Sequence, residues 1–277
     1  TWDTFGTVSD VKLEYSTNGF SDETQTVVII SSTTNTGSYS WTVPDAISTT
    51  VKIRASDATD SRAFDISDGN FKIRAGLTLT SPNGGESYLV GTTQDITWTK
   101  TGTISTVKLV YSTDGGSTYS NTIATAVDAE VGTPYAWTIP DTLSTTCKVR
   151  VINEADSTVY DDSDNNFTIH GELTVTAPNG GEIWIVGTTE SITWTQVGSI
   201  ANVKLEYSTD SGLTYPNLIV SSTPSDGSYA WNVPDSIGST IRIKVTDVDN
   251  TDVFDESDND FSIKGSLTIT SPNGGEI

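Results

Sequence analysis

Short runs of alternating apolar and polar residues occur along the whole chain, and Gly, Pro, Asn and Asp separate them. Successive side chains of a β-strand point to opposite faces, so this period of two predicts half-buried strands. In the segment 106–112, Val107, Leu109 and Tyr111 are predicted to point inward and Val110 outward. No stretch carries apolar residues at helical spacing over the length of a helix. The pattern predicts an all-β protein.

The pattern also repeats at intervals of about 95 residues. The anchor residues that recur are aromatic, and a Gly-rich motif recurs with them. The recurring positions are Trp2, Trp98 and Trp194; Tyr15, Tyr111 and Tyr207; Trp41, Trp137 and Trp231; Phe71, Phe167 and Phe261; and the motifs SPNGGES, APNGGEI and SPNGGEI at Ser81, Ala177 and Ser271. A repeat of this length is typical of one small domain per unit.

Each unit is predicted to form seven short strands, with strand A in two pieces. In the middle unit the assignments are Leu77–Thr80 (A), Tyr88–Val90 (A′), Asp95–Thr99 (B), Thr106–Ser112 (C), Tyr119–Ala124 (C′), Tyr135–Ile139 (E), Cys147–Ile152 (F) and Asn166–Ile169 (G). The rings of Trp98, Trp137, Tyr111 and Phe167 are predicted to form its core. These features indicate tandem Ig-like or fibronectin type III-like seven-stranded β-sandwiches.

The repeat boundaries divide the chain into four segments. Residues 1–76 are repeat 1, which lacks strand A; residues 77–170 are repeat 2; residues 173–264 are repeat 3; and residues 266–277 are strand A of a following repeat. Only a few residues separate strand G of one repeat from strand A of the next. Such short linkers favour a rod-like array over domains on flexible tethers.

Repeat 1 lacks the strand A that the last segment has in excess. Thr1 aligns with Thr97, so repeat 1 lacks strands A and A′ and part of B, whereas residues 266–277 supply an extra strand A. The chain is therefore a slice of a longer array, one asymmetric unit of a filament, or a subunit that donates its strand to another. An unpaired edge that exposes a core is costly, so we expect another strand to fill the position of strand A. A continuous longer chain is favoured over strand donation.

Charge narrows the choice of partners. The formal net charge is -22, which disfavours nucleic acid and anionic lipid. No apolar run is long enough to span a membrane, so direct membrane insertion of this segment is not expected. The expected partners are neighbouring repeats or subunits of the same protein, and surface glycans.

Cys147 is the only cysteine and is predicted to be an apolar core residue.

The residues needed for common catalytic sites are scarce. One histidine and one cysteine cannot form a Ser-His-Asp triad or a histidine metal cluster, and no enzyme activity is expected. His170 is interpreted as a linker residue. Asp114 and Asp210 match the Asp-box pattern of sialidase propellers, and a structural turn is favoured there over catalysis. The Gly-rich segment 83–86 lacks a lysine and a following helix, so a kink in strand A is favoured over phosphate binding.

The hairpins between strands F and G are acidic in all three repeats. They are predicted to face the preceding repeat, where crowded carboxylates could collect a calcium ion. The candidate calcium ligands are Asp65, Asp68, Asp161, Asp164, Asp255 and Asp258. A solvated acidic hairpin without calcium is the favoured alternative, because none of the three segments matches an EF-hand loop.

The motifs SPNGGE, VGTTQ-ITWT, VKL-YSTDGG, Y-WT-PD and V-D-SD-NFTI resemble the Ig-like repeats of large bacterial and archaeal surface proteins. They are also similar to the Ser/Thr-rich, GPI-anchored cell-wall family of fungi. The resemblance covers all three units and implies a fibronectin-like sandwich on a secreted or cell-surface protein, with no reaction. The leading hypothesis is a structural repeat segment of a long extracellular surface protein or filament.

Two alternative functions stay open at this point. The chain could be an array of adhesin or glycan-binding modules, or a set of spacer domains in a larger secreted enzyme. Exposed aromatic residues such as Trp184, Tyr119 and Tyr215 could stack on sugar rings, although packing against a sheet edge is the more common outcome.

Calcium at the junctions predicts that a chelator lowers the melting temperature of the chain, because a ligand that binds only the folded state stabilises it. Differential scanning calorimetry with calcium and with EDTA measures this shift. An unchanged transition contradicts the calcium hypothesis.

Overall fold

The computed structural model describes residues 1–130, 134–271 and 274–275. Within them the chain is all-β, with one 3-10 turn at Glu23–Gln25. The strands are β1 (Asp10–Ser16), β2 (Thr26–Thr34), β3 (Ser48–Asp57), β4 (Phe64–Ile66), β5 (Phe71–Ile73), β6 (Gly76–Ser81), β7 (Ser87–Leu89), β8 (Thr93–Thr101), β9 (Thr106–Ser112), β10 (Asn121–Asp128), β11 (Tyr135–Thr138), β12 (Ser144–Asn153), β13 (Tyr160–Asp162), β14 (Phe167–His170), β15 (Glu172–Ala177), β16 (Ile183–Ile185), β17 (Thr189–Val197), β18 (Asn202–Ser208), β19 (Asn217–Pro224), β20 (Ser228–Asn232), β21 (Gly238–Asp247), β22 (Phe254–Glu256) and β23 (Phe261–Lys264).

Repeat 2 is a sandwich of two sheets around one apolar core. The larger sheet has the order β10-β9-β12-β14-β7, with β13 paired to β12, and the smaller sheet has the order β11-β8-β6. The Trp137 ring lies 5.4 Å from Tyr111 and 6.2 Å from Phe167, and both contacts are tilted or edge-on. Such ring pairs add about 0.5–1.5 kcal/mol each beyond the area they bury. The expected aromatic core is present.

Repeat 3 has the same arrangement, with sheets β15-β17-β20 and β16-β23-β21-β18-β19. Its core differs from expectation at Trp184, which is buried and lies 5.8 Å from Trp231 and 4.9 Å from Phe261. The expectation of an exposed Trp184 was wrong. Strand β16 is paired to β23 and turns this ring into the core.

The predicted strands agree best with the observed ones where the alternation of apolar and polar residues is strict. Strand β9 has the expected bounds, but the acidic hairpin contains an additional short strand, β13, that no apolar alternation marks. Val110, expected to point to solvent, is only 3% exposed. It lies opposite Arg150 on the neighbouring strand, and side chains directly opposite share a face of the sheet. The long Arg150 side chain and its aromatic neighbours make that outer face less exposed than the sequence suggests.

The Gly-rich segment carries the chain from one sheet to the other. Strand β6 belongs to the smaller sheet, whereas β7 pairs in parallel with β14 of the larger sheet. Between them the Glu86 carboxylate accepts the backbone N–H groups of Asn83 and Gly84, both at 2.7 Å. This is the expected kink in strand A. Repeat 3 has the same turn, built on Glu182.

Repeat 1 has only the larger sheet, with the order β2-β1-β3-β4 and β5 beside β3. The described residues place no strand at Tyr39–Thr42, the counterpart of β11. In repeat 2, β11 pairs with residues 93–96 of β8. Only Tyr15, Val51 and Ile73 form the buried cluster of repeat 1. Its other core positions are therefore partly open to water.

Substitution of Gly84 tests the kink between the sheets. A Cβ there would lie 2.4 Å from Asn165 Cβ, and the backbone has a φ of +124°. We expect Gly84→Ala to destabilise repeat 2 by about 2 kcal/mol or more, because a clash adds to the strain of positive φ. Thermal unfolding followed by circular dichroism measures the loss.

The adjacent Gly85 is the matched control. Its φ is +89°, but a Cβ would meet no atom within 4 Å. Gly85→Ala should cost only about 1 kcal/mol. Equal losses for the two variants would show that the close approach to Asn165 has no role.

Candidate functional site: the junctions between sandwiches

Each junction between sandwiches contains the same carboxylate contact. Asp141 follows Pro140 at the end of one sandwich, and its side chain accepts the Ser199 N–H at 2.8 Å and the Ser199 hydroxyl at 2.5 Å. At the other junction Asp45 accepts the N–H of Thr103 at 3.1 Å and its hydroxyl at 2.5 Å. The hydroxyl and N–H of Thr103 hold the pKa of Asp45 below its usual range. An acceptor with two oxygens that binds two donors fixes orientation as well as distance.

Apolar and backbone contacts accompany this pair. Leu143 packs against the cores of both repeat 2 and repeat 3. Only Gly171 separates β14 from β15, so the linker is even shorter than the sequence indicates. A Cβ at Gly171 would lie 2.5 Å from the Val197 carbonyl oxygen, so the linker backbone lies tightly against the next sandwich. These contacts restrict bending at the junction.

A cavity of about 490 Å³ lies at the second junction and is lined by residues of both repeats, including Thr113, Leu143, Ser199, Asp247 and Asn250. The tip of the acidic hairpin therefore faces the preceding repeat, as expected. Asp247 is only 4% exposed, and burial raises the pKa of its carboxyl. Its side chain accepts the Asp249 N–H at 2.9 Å.

The proposed calcium ligands lie on another part of the hairpin than the tip residues that line this cavity. Asp161 accepts the N–H of Leu79 at 2.8 Å, and Asp255 accepts the N–H of Val175 at 2.7 Å. Both contacts hold strand A of the same repeat. Asp65 is the counterpart in repeat 1, where it lines a groove together with Trp2 and Phe5.

The second aspartate of each pair binds the Gly-rich turn. Asp164 accepts from the Asn83 amide at 2.8 Å, and Asp258 accepts from the Asn179 amide at 2.7 Å. In repeat 1 the corresponding Asp68 offers its carbonyl oxygen to Lys52. Across residues 1–130, 134–271 and 274–275, no group of three or more His, Cys, Asp or Glu side chains is arranged to hold a metal. Junctional calcium stays a prediction.

The Asp-box segments form turns. The Asp114 carboxylate accepts from the Ser112 hydroxyl at 2.6 Å and from Thr118 N–H at 2.9 Å, and the same contacts recur around Asp210. These hydrogen bonds, the serine hydroxyl first, lower the pKa of both carboxyls to about 2. Each carboxylate is used to close its own hairpin turn, which agrees with the structural interpretation.

The remaining candidate residues also have structural contacts. Cys147 is fully buried, and burial raises the pKa of its thiol. The ring of His170 bonds the adjacent Gly171 carbonyl at 2.7 Å, in the linker. The guanidinium of Arg150 lies between the rings of Tyr119 and Tyr160, at 4.0 and 4.1 Å. Tyr119, just before β10, therefore stacks on a side chain of β12.

The sequence reasoning missed the Asp45 and Asp141 contacts. A signal was present, because an aspartate follows the proline of every Y-WT-PD motif, and Gly102-Thr103 and Gly198-Ser199 recur between strands B and C of repeats 2 and 3. Neither the aspartate of the motif nor the Gly-Thr or Gly-Ser turn indicates by itself that the two come into contact. Their pairing depends on the placement of one sandwich on another.

No family model and no curated protein sequence matches the chain. Among solved structures, it is similar to the fibronectin(III)-like modules of Clostridium thermocellum CbhA, at 17% identity over 68% of this chain and 94% of that chain, with a TM-score of 0.24. It is also similar to the N-terminal four Ig domains of Dscam1 isoform 9.44, at 10% identity over 82% of this chain and 57% of that one, with a TM-score of 0.37. The chain spans little more than half of the Dscam1 fragment.

The two packed sheets of each complete repeat define the protein's class: it is an all-β protein of tandem β-sandwiches with an Ig-like or fibronectin type III-like fold. The described residues include no helix with the length and apolarity of a bilayer span.

The Asp-box turns predict a specific response to acid. Their carboxyls have a folded pKa of about 2, below the ordinary 3.8, so their contribution to stability is complete above about pH 4 and is lost as the pH falls towards 2. We expect Asp114→Asn with Asp210→Asn to lower stability at pH 7 and to flatten its decline between pH 4 and 2. Urea unfolding at each pH measures both effects.

A control of equal net charge is Asp95→Asn with Asp235→Asn, at exposed positions outside these turns. It should retain the acid-dependent decline of the parent chain. If both double variants flatten the decline equally, general charge repulsion rather than the turn is its cause.

Proposed function

We propose that this chain is a structural repeat segment of a long extracellular surface protein or filament, a stalk or fibre of stacked Ig-like domains. The observation that carries the proposal is the repeated junction, in which Asp45 and Asp141 make the same paired contacts with the following sandwich. A structure that must extend by repetition needs a contact that recurs without change. The partners are accordingly further copies of the repeat.

Charge and motif resemblance support an extracellular location. The net charge of -22 keeps a long polymer soluble and limits unspecific association. The SPNGGE-type motifs resemble those of large microbial surface proteins. The glycan-binding alternative has less support, because Trp184 is buried and the Tyr119 ring stacks on Arg150.

The junction contacts should control the stiffness of the chain. We expect the chain to be an extended rod at concentrations where it is monomeric, and Asp45→Ala with Asp141→Ala to broaden the angles between sandwiches. If the substitution removes about 1 kcal/mol of the free energy that holds the Asp141 junction straight, the population of bent junctions there rises about fivefold. Small-angle X-ray scattering and single-particle electron microscopy measure the change.

Asp235→Ala is the matched control, because Asp235 ends the same motif in repeat 3 and is exposed. It should leave the angles within the chain unchanged. A parent chain that is already flexible would contradict the proposal.

The extracellular part of the proposal needs a cellular test. An antibody raised against residues 173–264 should label intact source cells or fibres outside them. Labelling that appears only after the cells are permeabilised would overturn the proposed location.

A further inference from the structure

Most of the basic residues of this acidic chain lie on one surface, the outer face of strands C and F in the larger sheets. The chain has 14 Lys and Arg residues in all. Those on this face alternate with the buried core residues of the same strands. They are Lys12, Lys52 and Arg54 in repeat 1, Lys108, Lys148 and Arg150 in repeat 2, and Lys204, Arg242 and Lys244 in repeat 3. Positive charge is therefore concentrated at matching positions of every repeat.

Carboxylates on the same face neutralise most of these cations in repeats 3 and 1. In repeat 3 every cation of the face has an ion pair. The pairs are Lys204–Glu206 at 2.8 Å, Arg242–Asp260 at 2.7 Å and Lys244–Glu256 at 3.4 Å. In repeat 1 the Glu14 carboxylate pairs with both Lys12 and Arg54. An outside anion has to compete with these partners.

The central carboxylate of this face is missing in repeat 2. Val110 occupies the position of Glu14 and Glu206, opposite the central cation Arg150. Arg150 takes its carboxylate from the neighbouring hairpin instead, and binds the two oxygens of Asp162 at 2.5 and 2.8 Å. The other two cations of the face are left without a carboxylate of their own.

These two cations are Lys108 and Lys148, and within the described part of the chain neither forms an ion pair. The Lys148 ammonium donates to the Asp164 carbonyl oxygen at 3.1 Å, which is a neutral acceptor. Hydrogen bonds, first from the Ala126 N–H, and more weakly the charge of Lys108 lower the pKa of Glu154. Repeat 2 thus offers two positive charges to an anion from outside.

An exposed aromatic ring lies on the same face of repeat 2. Tyr160 is 48% exposed and lies opposite Ile152, which in turn lies opposite Lys108. The Arg150 guanidinium lies 4.1 Å from the Tyr160 ring and fixes it beside the cations. Tyr119 lies on the other side of Arg150 and is less exposed, so Tyr160 is the ring that this face presents. Ile152 and Tyr160 form an apolar strip next to Lys108.

The spacing of these groups indicates the kind of ligand. By strand geometry Tyr160 stands about 10 Å from Lys108 across the sheet, and Lys148 stands about 14 Å from Lys108 along it. Two positive charges at this separation suit an extended ligand with several carboxylates. The flat apolar face of an aromatic ring packs against the C–H face of a sugar, and an ammonium group forms charge-assisted hydrogen bonds with a carboxylate.

We propose that the outer face of the larger sheet in repeat 2 binds a carboxylated polysaccharide. Lys108 and Lys148 bind carboxylates of two sugars along the chain, and the strip of Ile152 and Tyr160 supports a sugar ring. The net charge of -22 repels such a ligand at a distance. Charges farther apart than a Debye length of about 8 Å are screened at physiological salt, so the local cations decide the contact. The site lies on a sheet face and goes beyond the structural role proposed for the junctions.

Isothermal titration calorimetry of the full chain with polygalacturonate tests the proposal. The parent chain should bind polygalacturonate and should not bind dextran, which has no carboxylates. Lys108→Gln with Lys148→Gln should weaken binding at least about tenfold. The matched control is Lys204→Gln with Arg242→Gln, which removes the same charge at the same positions of repeat 3, where both cations are already paired. It should bind like the parent.

Two further variants test the role of the ring and of the missing carboxylate. Tyr160→Ser should weaken binding of polygalacturonate but leave any binding of poly-glutamate, which has carboxylates and no sugar, unchanged. Val110→Glu restores the carboxylate of the other repeats and should weaken binding, because it gives Lys108 an internal partner. Thermal unfolding of each variant verifies that repeat 2 is folded.

Three results overturn the proposal. The first is a parent chain that does not bind polygalacturonate at low or at physiological ionic strength. The second is equal weakening by the two double glutamine variants, which would show that net charge alone drives binding. The third is poly-glutamate that binds as tightly as polygalacturonate, which would show that the face takes acidic protein segments. None of them changes the angles between sandwiches, so the proposed structural function is tested separately.

Discussion

Every sandwich depends on two sheets that together shield one apolar core from water. Burial of large rings and branched side chains is the main source of stability in a domain of this size, and a missing cover exposes it. Repeats 2 and 3 have both sheets, and their Trp and Phe rings are buried. Repeat 1 has one sheet, and its buried cluster shrinks to Tyr15, Val51 and Ile73.

Aspartate carboxylates hold strand A to its own sandwich and also join one sandwich to the next. The chain is strongly acidic, yet the carboxylates of Asp161 and Asp255 are used as acceptors for backbone N–H groups, and Asp141 is used to hold the next sandwich. An ionised acceptor gives shorter and stronger hydrogen bonds than a neutral one. Much of the negative charge is therefore structural, and it need not mark an ion site.

The fold was predictable because its information is local and is present three times. Strict alternation placed β9, and the recurring aromatic residues identified the core. Strand β13 was missed because its pairing with β12 comes from the hairpin rather than from apolar residues. The junction was missed for a different reason: Asp141 and Ser199 lie 58 residues apart and meet only when two sandwiches stack. The sequence pattern shows periodicity, whereas contacts between units depend on their relative placement.

The parallel pairing of β7 with β14 has a mechanical consequence. The chain enters repeat 2 through β6 and β7 and leaves it through β14, and β16 and β23 have the same relation in repeat 3. Tension along the array pulls these two parallel strands in opposite directions, so it shears their hydrogen bonds together instead of peeling them off one by one. A ladder loaded in shear resists force far better than one that unzips. Under tension, the resistance of each complete sandwich would therefore depend on the two strands through which the chain enters and leaves it.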